Sequence, residues 1–405
     1  MDALTTPSNW QKVRLGDIAE IKRGASPRPI ENPKWFCANS NVGWVRISDI
    51  SKNSRFLYKT AQKLSKKGIE KSRFIKQNSL IMSMCATIGK PIITKIDTCI
   101  HDGFVVFENP KIDLNYLYYF LCYIEKEWLE SGQQGSQVNL NVDLIKNKEV
   151  FYPKDLNEQI AIANILSDLD HYLYSLDALI LKKESVKKAL SFELLSQRKR
   201  LKGFNQAYQR VRLGDIANYL TSNLSAEQIT QQGKIKVYDV NNFIGYTNTT
   251  FISDKPYISI VKDGSVGRVR ILPPKTNILS TMGALIANHK TTTEFLFYLL
   301  SNFDFKNFTS GSIIPHIYFK DYKEKTIFLP PLNEQIAIAN ILSDLDHEII
   351  SLKNKKRQFE NIKKALNHDL MSAKIRVLKK LTPQKSRTNP LHKETPKFLD
   401  SGERS

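Results

Sequence analysis

Two long stretches of the chain place apolar residues seven positions apart. One row of the first stretch consists of Ile162, Leu169, Leu176, Lys183 and Leu190, and its companion row of Ile165, Tyr172, Leu179 and Val186. The matching row of the second stretch consists of Ile338, Leu345, Leu352, Phe359 and Leu366. This spacing is typical of coiled-coil helices. It predicts two helices of about 40 to 45 residues, or roughly 60 to 65 Å at 1.5 Å per residue.

Both stretches open with the same sixteen residues, LNEQIAIANILSDLDH, at 156–171 and 332–347. A Pro-Pro pair at 330–331 precedes the second copy and suits a helix start. Before the first copy, Asp155 and Glu158 have the spacing of a capping box. Identity within one chain indicates that one physical task is performed twice, such as docking two copies of one partner. Recent duplication with shared coiled-coil packing is the alternative.

Charge along the two helices favours an antiparallel pair. Residues 157–181 carry a net charge of −4 and residues 182–202 of +6, while residues 333–352 carry −4 and residues 353–380 carry +8. A parallel pair would set halves of like charge beside each other, whereas an antiparallel pair sets each acidic half against a basic half. Basic halves that simply face solvent or DNA are the alternative.

The segments that precede the helices resemble each other less. VRLGDIA occurs in both, at 13–19 and 211–217, and SMCATIGK at 83–90 resembles VKDGSVGR at 261–268. Short β-rich runs such as SLIMSM, GFVVF and KIKVYDV are separated by Gly, Asn, Ser and Pro. The aromatic run NYLYYFLCYI predicts a helix packed on a sheet. We therefore expect an α+β tandem repeat with pseudo-twofold symmetry, in which two mixed α/β domains are separated by two long helices that form an antiparallel coiled coil.

The charge composition predicts a polyanionic binding partner. The 405 residues include 60 Lys and Arg against 40 Asp and Glu, and nucleic acid is the usual partner of a net charge of +20. A solvated basic surface is the alternative. Because no stretch is apolar enough to span a membrane and MDALTTPSNW lacks secretory features, a cytoplasmic protein without a membrane partner is expected. The cysteines at 37, 85, 99 and 122 lack the close spacing of a zinc site and are predicted to be free thiols.

Motifs for chemistry within the chain are incomplete. No Asn-Pro-Pro-aromatic motif of an amino-methyltransferase is present. A P-loop is not supported, because Met84 stands where the first glycine belongs and Pro91 where the hydroxyl residue belongs. Asp17, Glu20 and Lys22 are reminiscent of a nuclease motif, but the second copy lacks the glutamate and the lysine. The sequence therefore predicts a chain that is not catalytic by itself.

The L-N-E-Q start of each long helix, closely preceded by proline (Pro153 in the first copy, Pro330 and Pro331 in the second), and the RLGDIA at the start of each half resemble the specificity (S) subunits of type I restriction–modification systems. The stretches ATIGK and GSVGR are similar to the glycine-bearing motif of that family's target-recognition domains. The resemblance covers residues 10–381, although Asp155 replaces the second proline in the first copy. The implied segments are target-recognition domains at 1–155 and 204–331, a central spacer helix at 156–203, a distal spacer helix at 332–381 and a polar tail at 382–405, which we predict to be disordered.

The resemblance implies a DNA sequence-recognition subunit. Each target-recognition domain would read one half of a bipartite site in double-stranded DNA, and the helices would dock two adenine methyltransferase (M) subunits. Nuclease and translocase (R) subunits would join through that complex. S-adenosylmethionine, ATP and Mg²⁺ are expected in the partner subunits, with no cofactor or metal in this chain. Two alternatives stay open: a DNA-modifying enzyme with its own catalytic site, and a coiled-coil scaffold without sequence choice.

Candidate DNA-binding residues are basic and polar side chains on predicted loops, which would contact phosphates and base edges. In the first domain they are Lys22, Arg23, Arg28, Arg46, Lys90, Gln133, Gln134 and Gln137, and in the second Lys262, Ser265, Arg268, Arg270, Ser312 and His316. Candidate partner-docking residues are Asn157, Glu158, Gln159, Asn164, Asp168, Asn333, Glu334, Gln335, Asn340 and Asp344. Gly89 and Gly267 are predicted to permit tight turns.

Overall fold

The computed structural model describes residues 8–52, 55–130 and 140–377. The chain divides into two compact units, each of which combines an α/β head with parts of both long helices. Unit 1 comprises Met1–Asp170 and Asn361–Ser405, and unit 2 comprises His171–Glu360. The head of unit 1 is called head 1 below, and that of unit 2 is called head 2.

Head 1 is built on three antiparallel or mixed sheets. Its strands are β1 (Trp10–Arg14), β2 (Glu20–Arg23), β3 (Gly43–Val45), β4 (Phe56–Leu57), β5 (Gln62–Lys63), β6 (Arg73–Ile75), β7 (Leu80–Ser83), β8 (Pro91–Thr94), β9 (Thr98–Ile100), β10 (Phe104–Glu108) and β11 (Glu149–Pro153). Its helices are α1 (Leu15–Ile18), α2 (Ile47–Ser51), α3 (Lys66–Glu70), α4 (Leu114–Tyr123), α5 (Glu125–Glu130) and α6 (Val142–Asn147), followed by the long helix α7 (Leu156–Leu195). A 3₁₀ turn lies at Pro33–Trp35. The sheets have the strand orders β2-β10-β7-β8-β4, β5-β3-β9-β6 and β1-β11.

The core of head 1 lies between the five-stranded sheet and helix α4. Strands β7 and β8 are buried along their whole length, which suits their mostly apolar runs LIMS and PIIT. Asp113 caps α4 by accepting a hydrogen bond from the Tyr116 N–H at 2.8 Å, and the helix buries six consecutive residues from Tyr116 to Leu121. The predicted packing of this aromatic helix on a sheet is confirmed.

Among the described residues, head 2 repeats the plan with as many strands as head 1 and with fewer α-helices. Its strands are β12 (Gln209–Arg212), β13 (Ala217–Thr221), β14 (Ile235–Tyr238), β15 (Phe243–Thr247), β16 (Tyr257–Val261), β17 (Val269–Leu272), β18 (Asn277–Ile278), β19 (Met282–Ala287), β20 (Thr309–Ser310), β21 (His316–Ile317) and β22 (Thr326–Leu329). Its helices are α8 (Thr293–Ser301) and α9 (Phe319–Tyr322), followed by the long helix α10 (Leu332–Met371), and 3₁₀ turns lie at Leu213–Asp215, Ala226–Gln228 and Phe305–Phe308. The sheets have the strand orders β13-β19-β16-β17, β15-β14-β18, β12-β22 and β20-β21.

The buried faces of the long helices differ from the predicted rows by one position. The row that starts at Ile162 is buried or half-buried, as predicted. The second buried row starts four residues after Ile162, whereas the predicted companion row starts three residues after it. This second row is Leu166, Leu173, Ile180, Lys187 and Leu194, and its match in α10 is Leu342, Ile349, Lys356, Lys363 and Leu370. Leu179 and Val186 of the predicted row are exposed. Steps of three and of four both fit a heptad, so spacing alone could not choose between them.

Lysines near these rows reach carboxylates on the other long helix. In unit 2, Lys356 Nζ lies 2.6 Å from Asp177 Oδ1, and Lys183 Nζ lies 2.8 Å from Glu348 Oε1. Residue numbers rise along α7 as they fall along α10, so these helix segments run in opposite directions. The acidic part of each segment thereby faces a basic part of the other, which is the pairing that the charge distribution favours.

Both long helices end earlier than predicted and in the same way. The segment predicted to reach residue 203 ends at Leu195, and the one predicted to reach residue 381 ends at Met371. Gln197 and Ala373, at equivalent places, adopt left-handed conformations with φ of 63° and 58°. Such a residue reverses the chain after a helix, and because neither is a glycine the stop left no signal in the sequence.

Candidate nucleic-acid interface

In head 1, Asp102 gathers two of the candidate arginines. Its Oδ2 lies 2.8 Å from Arg28 Nη2, and its Oδ1 accepts a hydrogen bond of 2.7 Å from the Ser26 hydroxyl. The Arg23 Nε donates to the Asp102 carbonyl oxygen at 2.7 Å. Burial opposes ionisation of Asp102, but the hydrogen bonds from Ser26 and the backbone and the charge of Arg28 hold its pKa below the usual value. Arg28 is therefore held by the ionised carboxylate of Asp102 and Arg23 by the backbone carbonyl of the same residue, with the remaining donors of both arginines available at the surface.

His101 lies beneath this arginine cluster and stays neutral. Its Nδ1 accepts the Gly103 N–H at 2.9 Å, and its ring packs against Phe104 with the centroids 4.6 Å apart. The pKa of His101 is lowered to about 4, chiefly by burial; the charge of Asp102 opposes this lowering and the charge of Arg46 adds to it. The structure thus brings Arg23, Arg28 and Arg46 into one region of head 1. Neither His101 nor Asp102 was singled out from the sequence.

Lys22 and Lys90 are more constrained than the arginines. The Lys22 ammonium contacts Glu108 and Glu20, which raise its pKa and neutralise its charge. Lys90 is half-buried, and its charge opposes the rise that burial causes in the pKa of Glu125. The three glutamine candidates, Gln133, Gln134 and Gln137, lie outside the described residues.

In head 2, the loop between β20 and β21 is fastened to the turn between β16 and β17. His316 Nδ1 and Asp263 Oδ1 lie 2.7 Å apart, and the Ile317 N–H donates to the Lys262 carbonyl at 2.9 Å. The Gly264 N–H donates to the Pro315 carbonyl at 2.9 Å. These contacts place the candidates Lys262, Ser265, Ser312 and His316 on two adjoining loops.

Arg268 and Arg270 converge on the neighbouring loop between β14 and β15. Arg268 Nη2 donates to Asn241 Oδ1 at 2.8 Å, and Arg270 Nη1 donates to the Asn241 carbonyl at 2.9 Å. Arg270 also lies over the Tyr238 ring at 5.3 Å from its centroid. Asn241 is exposed and was missed from the sequence, although the Asn-Asn pair at 241–242 marks a loop. Head 2 therefore presents Arg268, an asparagine and two serines on three loops, with Arg270 beside them on strand β17.

The glycines in the two similar turns permit a tight turn, as predicted, and also allow each turn to pack closely on an aromatic ring. Gly89 and Gly267 have φ of +76° and +80°, which L side chains rarely adopt. A Cβ on Gly89 would lie 2.3 Å from the Trp128 ring, and a Cβ on Gly267 would lie 2.6 Å from the Phe305 ring. Each turn thus packs directly on an aromatic ring of its own head.

The sixteen-residue repeat has the same burial at every position in its two copies. The side chains exposed in both are those of Leu156, Asn157, Ile160, Asn164, Asp168 and His171, matched by Leu332, Asn333, Ile336, Asn340, Asp344 and His347. Steps of three and four place them on one helix face. This identical stripe, named the outward stripe, contains six of the ten candidate docking residues and four exposed apolar residues that were missed.

The other four docking candidates, Glu158, Gln159, Glu334 and Gln335, are buried and bound to their own head. Gln159 Nε2 donates to the Pro153 carbonyl and Gln335 Nε2 to the Pro330 carbonyl, both at 2.8 Å. Asn9 Nδ2 donates to Glu158 at 2.8 Å. Glu334 accepts from Arg200 Nη2 at 2.8 Å and from the Tyr208 hydroxyl at 2.9 Å. These side chains fasten each helix start to the head before it. The predicted capping box is not formed, because Glu158 turns to Asn9 while Asp155 accepts the Asn157 N–H.

A second joint repeats at the end of the identical stretch. In unit 1, Asp170 accepts a hydrogen bond from the Tyr119 hydroxyl at 2.6 Å and contacts Lys363 of α10. The equivalent set in unit 2 is Asp346, Tyr298 and Lys187. Each head is therefore tied to both long helices through one aspartate.

The described residues offer no evident catalytic constellation. They contain no group of three or more His, Cys, Asp and Glu that could hold a metal ion. Asp17, from the nuclease-like motif, caps its own turn by accepting the Arg14 N–H at 3.3 Å. All four cysteines are free, as predicted. Cys85 lies near His101, but burial raises the pKa of its thiol, so a reactive thiolate is disfavoured. Across the same part of the chain, no helix is both long and apolar enough to cross a membrane.

Fold and surface together define a tandem-repeat DNA-binding protein with two unlike basic heads. The type I restriction modification DNA specificity domain matches residues 7–183 and again 205–361. The chain therefore belongs to the family of type I restriction–modification specificity subunits.

Relatives of full length share this assignment. The type I restriction enzyme EcoprrI specificity subunit of Escherichia coli is 23% identical and covers 82% of this chain and 86% of its own. The MjaVIII specificity subunit of Methanocaldococcus jannaschii is also 23% identical and covers 93% and 95%. The crystal structure of a type I S subunit from M. genitalium has a TM-score of 0.60 at 19% identity, covering 91% of this chain and 97% of that one. This last likeness concerns the fold.

Proposed function

We propose that head 1 and head 2 each read one half of a bipartite double-stranded DNA site. The arginine clusters support this reading, because guanidinium groups pair with guanine edges and phosphates. Arg23, Arg28 and Arg46 would serve head 1, while Arg268 and Arg270 with Ser265, Ser312 and His316 would serve head 2. The two clusters differ in residues and in loops, which suits two different half-site sequences.

We propose further that the outward stripes dock two identical adenine methyltransferase subunits. The observation that carries this is that twelve exposed positions form six identical pairs, although exposed positions are ordinarily free to change. Exposed Leu156 and Ile160 with Asn164 and Asp168 provide the apolar and polar mixture of a protein interface. Nuclease and translocase subunits would join through this complex, in the cytoplasm. The partner subunits would bring S-adenosylmethionine, ATP and Mg²⁺.

We also propose that the long helices form an antiparallel coiled coil that acts as the spacer of the bipartite site. Each helix has 40 residues, about 60 Å at 1.5 Å per residue, which is under two turns of B-DNA. Inserting one heptad into both helices should lengthen the unread gap while both half-site sequences stay the same. A methylation map in which the half-site bases change would contradict the spacer.

The direct test expresses the chain together with a candidate partner methyltransferase subunit and maps the methylated adenines by sequencing. Methylation at one bipartite motif supports the proposal. Replacing only residues 205–331 with the corresponding segment of another family member should change one half of the motif and leave the other half intact. Methylation without a motif, or by this chain alone, would contradict it.

A further inference from the structure

The loop of residues 311–315 in head 2 carries two isoleucines at its tip. Ile313 is 92% exposed and Ile314 is 55% exposed. Hairpin tips are normally built from Gly, Asn, Asp and Ser, and two adjacent β-branched apolar residues there expose a surface that water solvates poorly. We take this exposed apolar pair as a candidate contact with another molecule.

The tip is held in a fixed place by its own head. The loop base is bound to the 262–268 turn through the His316–Asp263 contact and the hydrogen bond from Gly264 to Pro315. Gly311 has φ of +89°, and a Cβ there would lie 2.3 Å from the Ile314 carbonyl oxygen. Only glycine permits the chain to fold back so tightly. The two isoleucines are therefore presented at a defined position beside the turn.

The surroundings of the tip favour DNA over a protein as the molecule contacted. The 262–268 turn ends in Arg268, and Arg270 follows on β17. Among the described residues, neither guanidinium is ion-paired with a carboxylate; Asp263 in the turn contacts His316, and Asp239 accepts the Asn241 and Asn242 N–H groups. Arginines without a paired carboxylate beside an apolar tip suit DNA, because its phosphates are anionic and its major groove exposes thymine methyl groups.

We infer that Ile313 and Ile314 contact thymine C5-methyl groups in the major groove and so help to specify A·T pairs in one half-site. This inference rests on the proposed function of head 2 as a DNA reader. Apolar contact with the thymine methyl is how an apolar side chain distinguishes bases in that groove. Burying one methyl group corresponds to about a fourfold change in affinity.

The test replaces thymines of the head 2 half-site, one at a time, with deoxyuridine, which removes only the methyl group. The protein is the full chain in complex with its methyltransferase, and the DNA carries the motif found by methylation mapping. The wild-type complex should bind each contacted site about fourfold more weakly after replacement. The variant Ile313→Ala/Ile314→Ala should bind the thymine and uracil forms equally.

Two controls accompany the variant. Ile350→Ala, which changes another exposed isoleucine of unit 2, should keep the wild-type preference for thymine. Replacements in the head 1 half-site should affect the wild-type complex and the loop variant alike. Thermal unfolding should confirm that all variants are folded.

Four results would overturn the inference. The wild-type complex could be indifferent to every replacement, or the half-site could lack A·T pairs altogether. The loop variant could keep the full preference for thymine over uracil. If it also changed the bending of the DNA, the isoleucines would instead insert between base steps. The loop variant could instead lose the methyltransferase, which would identify a protein contact. A wild-type complex that does not prefer its motif over scrambled DNA would refute the proposed function itself.

Discussion

The same buried glutamate of the repeat is held differently in the two units, which permits a matched stability experiment. Glu334 is fully buried and accepts hydrogen bonds from the Arg200 guanidinium and the Tyr208 hydroxyl. Burial, together with the Glu334 carboxylate, raises the pKa of Tyr208 to about 12, so that hydroxyl remains a donor at neutral pH. Glu158 accepts from Asn9 at 2.8 Å and from the indole of Trp10 at 3.3 Å.

The perturbation is glutamate to glutamine at each position in turn. In Glu334→Gln an amide NH₂ would face the donors of Arg200 or Tyr208, so charge-assisted hydrogen bonds are lost within a buried site. We expect a loss of about 3 kcal/mol in the free energy of unfolding. In Glu158→Gln the lost partners are neutral and the nearest cation, Arg376, lies 4.0 Å away, so about 1.5 kcal/mol is expected.

Each unit can be followed separately during unfolding. All four tryptophans, at 10, 35, 44 and 128, belong to unit 1, so tryptophan fluorescence reports on that unit. Hydrogen exchange of head 2 peptides reports on unit 2. For domains of this size each kcal/mol shifts the melting temperature by roughly 2–4 °C, which gives about 9 °C for Glu334→Gln and about 4 °C for Glu158→Gln. Equal shifts, or a unit 2 midpoint that moves by less than about 2 °C, would refute the reasoning.

Three further predictions concern function and pH. Ile160→Asp or Ile336→Asp should each halve the methyltransferase bound per chain, with little change in melting temperature, and native mass spectrometry would count the subunits; undiminished binding would contradict docking on the outward stripe. Arg23→Ala should weaken DNA binding and lower the number of ions released on binding by about one, as titrations at several salt concentrations would show. Lys22→Ala should have little effect in the same titrations, because two glutamates neutralise that lysine. Because the pKa of His101 is lowered from 6.5 to about 4 in the folded chain, unit 1 should lose stability as the pH falls from about 6.5 through 4, and His101→Asn should flatten this dependence in fluorescence-monitored melts.

The helices and the tandem plan could be predicted from the sequence because their signals are local. Both long helices begin at the predicted leucine, and their antiparallel segments follow from the charge pattern. The second buried row was misplaced because Ile165 and Leu166 are both apolar, and only packing shows which of them is covered. The helix ends were missed because Gln197 and Ala373 are not residues that usually adopt a left-handed conformation.

The candidate site could be predicted only in part, because its geometry depends on contacts between distant segments. Asp102 meets Ser26 and Arg28 across more than seventy residues of sequence, through the order of strands in the sheet. The buried repeat residues looked like docking candidates because a repeated Glu-Gln pair is polar. The sixteen identical residues alone do not show which helix face binds the head and which face is exposed to a partner.

That separation bears on why the repeat is identical. The inward face does not require it, since Glu158 is held by Asn9 and Trp10 while Glu334 is held by Arg200 and Tyr208. Helix pairing does not require it either, because the sequences diverge directly after His171 and His347 although the buried rows continue for over twenty residues. Identity ends at His171 and His347, although both helices and their exposed faces continue to Leu195 and Met371. A constraint that acts from outside on both stripes would account for their identical exposed residues, and one partner bound twice, as proposed above, would be such a constraint.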